Sequence, residues 1–199
     1  MTFDKNKLLA PQTAISIRGL KHSEFASHET HCFQASIWLD NTRVCIAEND
    51  GRGGATDFNR TQTIKKETWS EFMPLLVREA NRIMPLLWED EEWFTPKDED
   101  PSDVVHGNSA WSSNLECVVA HLINEELSKK EMLRRMKNKL LTYDTKEKKV
   151  YARKIKLDPK QHPLRAEKVK QSLSESSPNE IILNLMPEEE ALQMYLTSN

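Results

Sequence analysis

The run Glu29–Phe58, ETHCFQASIWLDNTRVCIAENDGRGGATDF, decides the fold. Phe33, Ala35, Ile37 and Leu39 alternate with polar neighbours, as a strand with one buried face requires, and Val44 and Ile46 resume the pattern after a break. Asp40-Asn41 tolerates the positive φ of a two-residue type I′ turn. That turn predicts a register in which Leu39 faces Thr42, Ile37 faces Val44, Ala35 faces Ile46, Phe33 faces Glu48 and His31 faces Asp50. Trp38 and Arg43, Ser36 and Cys45, and Cys32 and Asn49 then share the other face, so Cys32 and Cys45 lie on one side without being opposite.

In this register Glu29, His31, Glu48 and Asp50 extend past the apolar pairs at the open end of the hairpin. Carboxylates and an imidazole together can hold a divalent metal or move protons. No HExxH, CxxC or Ser-His-Asp order accompanies them, and the strand-end reading, without metal, is preferred. The next residues, Asn49-Asp50-Gly51-Arg52-Gly53-Gly54, contain three of the chain's five glycines. Such a loop can turn its amides inward as a nest for an anion, with Arg52 adding charge, or can serve only as a wide connection. The candidate ligand-binding set is therefore Glu29, His31, Cys32, Asn49, Asp50, Gly51, Arg52, Gly53 and Gly54; no cofactor and no catalytic residue is assigned.

A length of 199 residues suits one domain, and 30% charged residues suit a modest core. No apolar run approaches the ~20 residues of a membrane span, and the first residues lack the apolar stretch of a signal peptide. Three cysteines without metal spacing read as reduced thiols in a cytoplasm.

Along the chain, 14–20 reads as a first strand, 21–28 as a polar crossing and 55–58 as a short fourth strand. From Trp69 to Leu87 apolar residues fall at helical spacing behind a Thr68/Glu71 capping box, with Pro74 and Pro85 off the stripe as a kink and a stop. The acidic stretch 89–103 carries Trp93 and Phe94 amid its charges and is a candidate partner-binding loop. A Ser113/Glu116 capping box opens a second helix, about 114–137, with His121 off its buried stripe and exposed. Segments 139–143 and 149–155 form a second hairpin. The expected organisation is a single α+β domain over 13–157, a basic and Ser-rich linker over 158–180, and a C-terminal docking helix within 181–199 buried through Ala191, Leu192 and Tyr195. The fold class is α+β: an antiparallel sheet of about four to six strands with two main helices packed on one face and a short C-terminal helix.

Charge is uneven. Residues 129–170 hold 16 Lys and Arg against 5 Asp and Glu, in a chain whose net charge is −3. This surface, represented by Lys137, Lys139, Lys148, Lys149, Arg153 and Lys154, is a candidate for tracking a phosphate backbone. Its alternative is a solvated face neutralised by acidic residues of the same chain or of a second copy in a homodimer.

The run Gly19–Gly54 resembles a family of uncharacterised proteins from bacteriophages and related mobile elements. The resemblance rests on Phe25-Ala26-Ser27, Glu29-Thr30, Cys32-Phe33, Asp40 and Asn49-Asp50-Gly51-Arg52-Gly53-Gly54, and on the closing run from Ile182 to Leu192. The chain departs from that pattern at Asn41, where glycine is more usual, and at Arg52, where histidine is commoner; the second counts against a histidine-based metal site. The resemblance implies a phage or prophage setting and the host cytoplasm, without naming an activity. The expected function is a non-enzymatic accessory protein that binds a host protein or a small anionic ligand, including an anti-defence role. Nucleic-acid binding through 129–170 is the first alternative and a metal-dependent hydrolase at Glu29, His31 and Asp50 the second.

Overall fold

The computed structural model describes residues 13–87, 99–154 and 163–198. The chain is α+β and divides into two compact units between Ile123 and Asn124. The division falls inside one continuous helix, where the expected boundary lay near residue 157.

In the first unit, β1 (Ile15–Ser23), β2 (Cys32–Leu39), β3 (Thr42–Asp50), β4 (Asp57–Asn59), β5 (Val105–His106) and β6 (Ser109–Ala110) form an antiparallel sheet in the order β1-β2-β3-β4-β6-β5. The hairpin is where the sequence placed it, but its register is not. Leu39 pairs with Thr42 and Trp38 with Arg43; Ile37 then pairs with Cys45, leaving Val44 as the extra residue of a bulge. Every later pair is displaced: Ala35 faces Ala47, Phe33 faces Asn49 and Cys32 faces Asp50. The physical reason is visible in what each register would bury. Without the bulge Glu48 would enter the core with no partner. With it Cys45, Ala47 and Asn49 face inward, and Glu48 moves to the open face, where its carboxylate accepts from Gln34 Nε2 at 2.7 Å. Cys32 and Cys45 therefore lie on opposite faces. The turn is also not type I′, since Asp40 has a φ of 52° and Asn41 is not left-handed.

β1 runs three residues further than expected because a bulge between Arg18 and Lys21, at Gly19 (φ 65°), lets the ladder resume through Ser23. α1 (Lys66–Leu87) lies against β1 and β3 and buries Trp69, Met73, Leu76, Val77, Ala80, Ile83 and Met84. It starts before Thr68, so the expected capping box lies within the helix, and it continues through both Pro74 and Pro85. Glu79 ties it to the start of β1 by accepting from Ala14 N at 3.2 Å; the Arg82 guanidinium, bonded at 2.7 Å, holds the Glu79 carboxyl below its usual range.

α2 (Ser113–Met136) is capped by Ser112, whose hydroxyl accepts from Leu115 N at 3.1 Å. Ser113, read as the cap, instead donates its amide and hydroxyl to Glu99, each at 2.7 Å. Glu116 accepts from Thr56 N at 2.7 Å. His121 is half-buried rather than exposed, and burial lowers its pKa.

The second unit contains a separate sheet: β7 (Leu140–Asp144) lies between β8 (Lys149–Arg153) and β9 (Glu180–Ile182), all antiparallel. The stretch expected to be a linker holds α3 (Pro163–Ser176). Its serines suggested a flexible segment, yet Ala166, Val169 and Leu173 recur at helical spacing and pack on Leu140 and Ile182. The 3₁₀ turn Leu183–Leu185 follows β9, and α4 (Glu188–Leu196) comes last. α4 buries Ala191, Leu192 and Tyr195, as expected, together with Met132, Leu141 and Tyr143. Leu140 and Leu141 point to opposite faces of β7, so α3 covers one face of this sheet and α4 the other. Asn184 fastens the unit: its Oδ1 accepts from Leu141 N at 2.8 Å, and its Nδ2 donates to the carbonyls of Met136 and Lys139.

Candidate functional site at the end of the first sheet

β1 and β2 are joined by a 3₁₀ turn, Glu24–Ala26, and by residues 27–31, which bend at 28–30. This connection folds onto the glycine loop 51–54, so the end of the sheet is built from both. The Gly51 carbonyl accepts from the amides of His28, Glu29 and Thr30 at 2.9, 3.0 and 3.4 Å. On the other side, Ser27 N donates to Glu24 O at 3.2 Å, Ser27 Oγ donates to Ser23 O at 2.7 Å, and the same hydroxyl accepts from Cys32 N at 2.8 Å. The short connection is thus held at both ends.

Asn49 is the hub of the glycine loop. It is buried, and its Oδ1 accepts from the Thr30 hydroxyl at 2.7 Å and from Gly51 N at 2.9 Å. Its Nδ2 donates to Gly54 O at 2.9 Å. Gly51 (φ 83°) needs its missing side chain: a Cβ there would stand 2.2 Å from Ala26 O and 2.8 Å from Cys32 Cβ. Three amides of the loop 51–54 are already donated within the chain. Gly51 N goes to Asn49, Arg52 N to Asp50 Oδ1 at 3.1 Å, and Gly53 N to the Thr30 hydroxyl at 3.3 Å.

The remaining expected site residues are dispersed. Glu29 is exposed, with its carboxylate over Gly53, and Arg52, Asp50 and Gly54 are exposed beside it. His31 and Cys32 are half-buried; the His31 ring meets His22 edge-on at 5.2 Å between centroids. The bulge in β3 moves Glu48 and Asp50 together to the open face of the sheet, where they pair with Gln34 and Cys32, so Asp50 does not face His31 as expected. Among the described residues no group of three or more His, Cys, Asp or Glu is placed to hold a metal ion.

What the sequence reading missed is Phe25. It sits in the middle of the 3₁₀ turn with 94% of its surface exposed, and the neighbouring Glu24, His28 and Glu29 of the same connection are exposed and polar. The signal was an aromatic residue inside a stretch read as a polar crossing, with Ser27 and Thr30 positioned to lock that crossing in place.

The basic candidates of the second unit divide by the register of β7 and β8. Leu140 pairs with Arg153, which gathers Lys139, Arg153 and Lys154 at one end, whereas Asp144 pairs with Lys149 and puts Lys148 and Lys149 at the other. Lys137 lies just beyond α2 on the approach to β7. Arg153 is ion-paired with Glu180 at 2.5 Å. Trp93 and Phe94 lie outside the described residues. Among the described residues no helix is long and apolar enough to cross a membrane. No protein family, no curated protein and no solved structure matches this chain.

Proposed function

We propose that this chain is a non-enzymatic binding protein that takes hold of another protein through the end of its first sheet, with Phe25 as the anchor. The observation that carries the reading is the near-complete exposure of Phe25 on a turn pinned from both sides. An aromatic ring left in water forgoes roughly 1.5–3 kcal/mol that burial against a partner would recover. A braced turn adds little ordering cost when that burial happens. A single large apolar residue in a polar, exposed connection also suits the apolar centre of a protein interface.

Of the two ligand classes expected, a protein is favoured over a small anion, because the loop amides that would hold an anion already serve Asn49, Asp50 and Thr30. The resemblance to phage proteins suggests a host protein in the bacterial cytoplasm as the partner, a defence component included. The test is capture from bacterial lysate on immobilised wild-type protein and on Phe25→Ala, followed by titration of any captured protein after purification. The expected result is a discrete partner whose affinity falls at least about tenfold on Phe25→Ala while the thermal midpoint is unchanged. A partner that binds both forms equally would contradict the proposal. So would a small anion carried by the purified protein and released by disrupting Asn49.

A further inference from the structure

We infer that the cavity between α3 and the β7–β8 edge of the second sheet is a binding site for a monomeric aliphatic anion, a carboxylate or phosphate carried on an alkyl or acyl chain. It is a groove open to solvent, with a volume of about 320 Å³. That is the lower end of the ~300–1,000 Å³ typical of small-molecule sites. Leu140, Val169 and Leu173 give it an aliphatic surface, and Arg153, Arg165 and Lys168 supply its charge; among the described residues no acidic and no aromatic side chain lines it. An anionic head with a flexible apolar tail answers both features. A nucleobase would find no ring to stack on.

Two further observations sharpen the choice. The opposite flank of α3 has a cavity of nearly equal size, about 330 Å³, but it is lined by Glu180 as well as Lys170. Of the two, only the first has a purely cationic set of charges among the described residues. Within it Arg153 is neutralised by Glu180, whereas Arg165 and Lys168 have no ion-pair partner among the described residues. They lie in the first two turns of α3, whose first turn holds no acidic residue. Cations there oppose the helix dipole, and a bound anion relieves that opposition. The apolar part of the site is equally incomplete, because α3 meets the sheet through Ala166, Val169 and Leu173 with a solvent-open groove on each side.

The test uses the full-length protein labelled with ¹⁵N and titrated below micelle-forming concentrations with dodecanoate, dodecyl phosphate, dodecanol and dodecyltrimethylammonium. The expected result is saturable binding of both anions, with amide shifts centred on Leu140, Val169 and Leu173. The alcohol and the cation should bind at least about tenfold more weakly. The exposed double change Arg165→Ala/Lys168→Ala should reduce anion affinity by a similar factor without altering the fold, and Val169→Trp should block binding by filling the cavity. Equal binding of the cation, shifts centred elsewhere, or no saturation by either anion would overturn the assignment. Two other outcomes would also overturn it: sedimentation with phosphatidylglycerol vesicles without uptake of monomer, which assigns the surface to a bilayer, and salt-sensitive retention of an oligonucleotide without anion binding, which assigns it to nucleic acid.

Discussion

The connection at 24–30 and the helix α3 are both short surface segments rich in polar residues, and they are built in opposite ways. The connection has almost no buried apolar area, yet it is fixed by hydrogen bonds to Gly51, Ser23 and the Asn49 hub. α3 has regular backbone bonding and buries Ala166 and Leu173, yet solvent-open grooves of about 320 and 330 Å³ lie along its flanks. Order in the first comes from directional polar contacts, and in the second from an incomplete apolar contact. The first suits the presentation of a fixed side chain to a partner. The second leaves room for a ligand to enter.

The contrast can be broken most severely at Gly51. Gly51→Ala forces a left-handed alanine against a backbone carbonyl, and the strain and clash together should cost about 2–4 kcal/mol in chemical denaturation. Leu76→Ala, fully buried in α1, should cost a similar ~3–4 kcal/mol. Leu173→Ala should fall near the low end of the range, about 2 kcal/mol, because its surroundings are already partly void. Equal losses at Leu76 and Leu173 would show that α3 is packed as tightly as α1 and would remove the contrast. Asn49→Ala should cost about 2–3 kcal/mol, since it leaves Gly51 N–H and Gly54 C=O without their partner. Asn49→Asp should recover the acceptor bonds to Thr30 and Gly51 but not the bond to Gly54.

The smallest effect is one of pH. Burial lowers the folded-state pKa of His121 below its unfolded value, so the unfolded chain binds the proton more readily. The contribution is therefore complete above the ordinary histidine value near 6.5 and declines as pH falls from there toward the lowered folded value. His121→Gln should flatten this part of the stability curve measured by urea denaturation between pH 7 and pH 5. An unchanged slope would show that His121 is not responsible for it.

Much of the fold was legible because strong periodicity survives context. The stripe from Trp69 to Met84 and the trio Ala191, Leu192 and Tyr195 are buried as their spacing required. The hairpin was legible but its pairing was not, because a single bulge at Val44 reverses the facing of every later residue in β3, and two-residue alternation carries no mark of it. α3 was hidden by its serines, whose turn-forming tendency outweighed three apolar residues in a helical row. The glycine loop directed attention to the end of the sheet that also carries Phe25. Asn49 and Asp50 take the amides two residues on, a local habit of Asn and Asp side chains in turns; what the loop could not indicate was that Thr30 would take the Gly53 amide, since that depends on the earlier connection folding back upon it. Phe25 stood in plain view, but its exposure is a property of the turn and not of its neighbours in sequence.

The most direct measurement is photo-crosslinking in living bacterial cells from a benzophenone-bearing phenylalanine placed at position 25 or, separately, at position 164. Phe25 and Leu164 are the two most exposed large apolar residues described, at 94% and 82%, one on the braced turn and the other on α3. The account predicts a discrete protein adduct from position 25 and none from position 164. No adduct from position 25, or the same set of adducts from both positions, would contradict it.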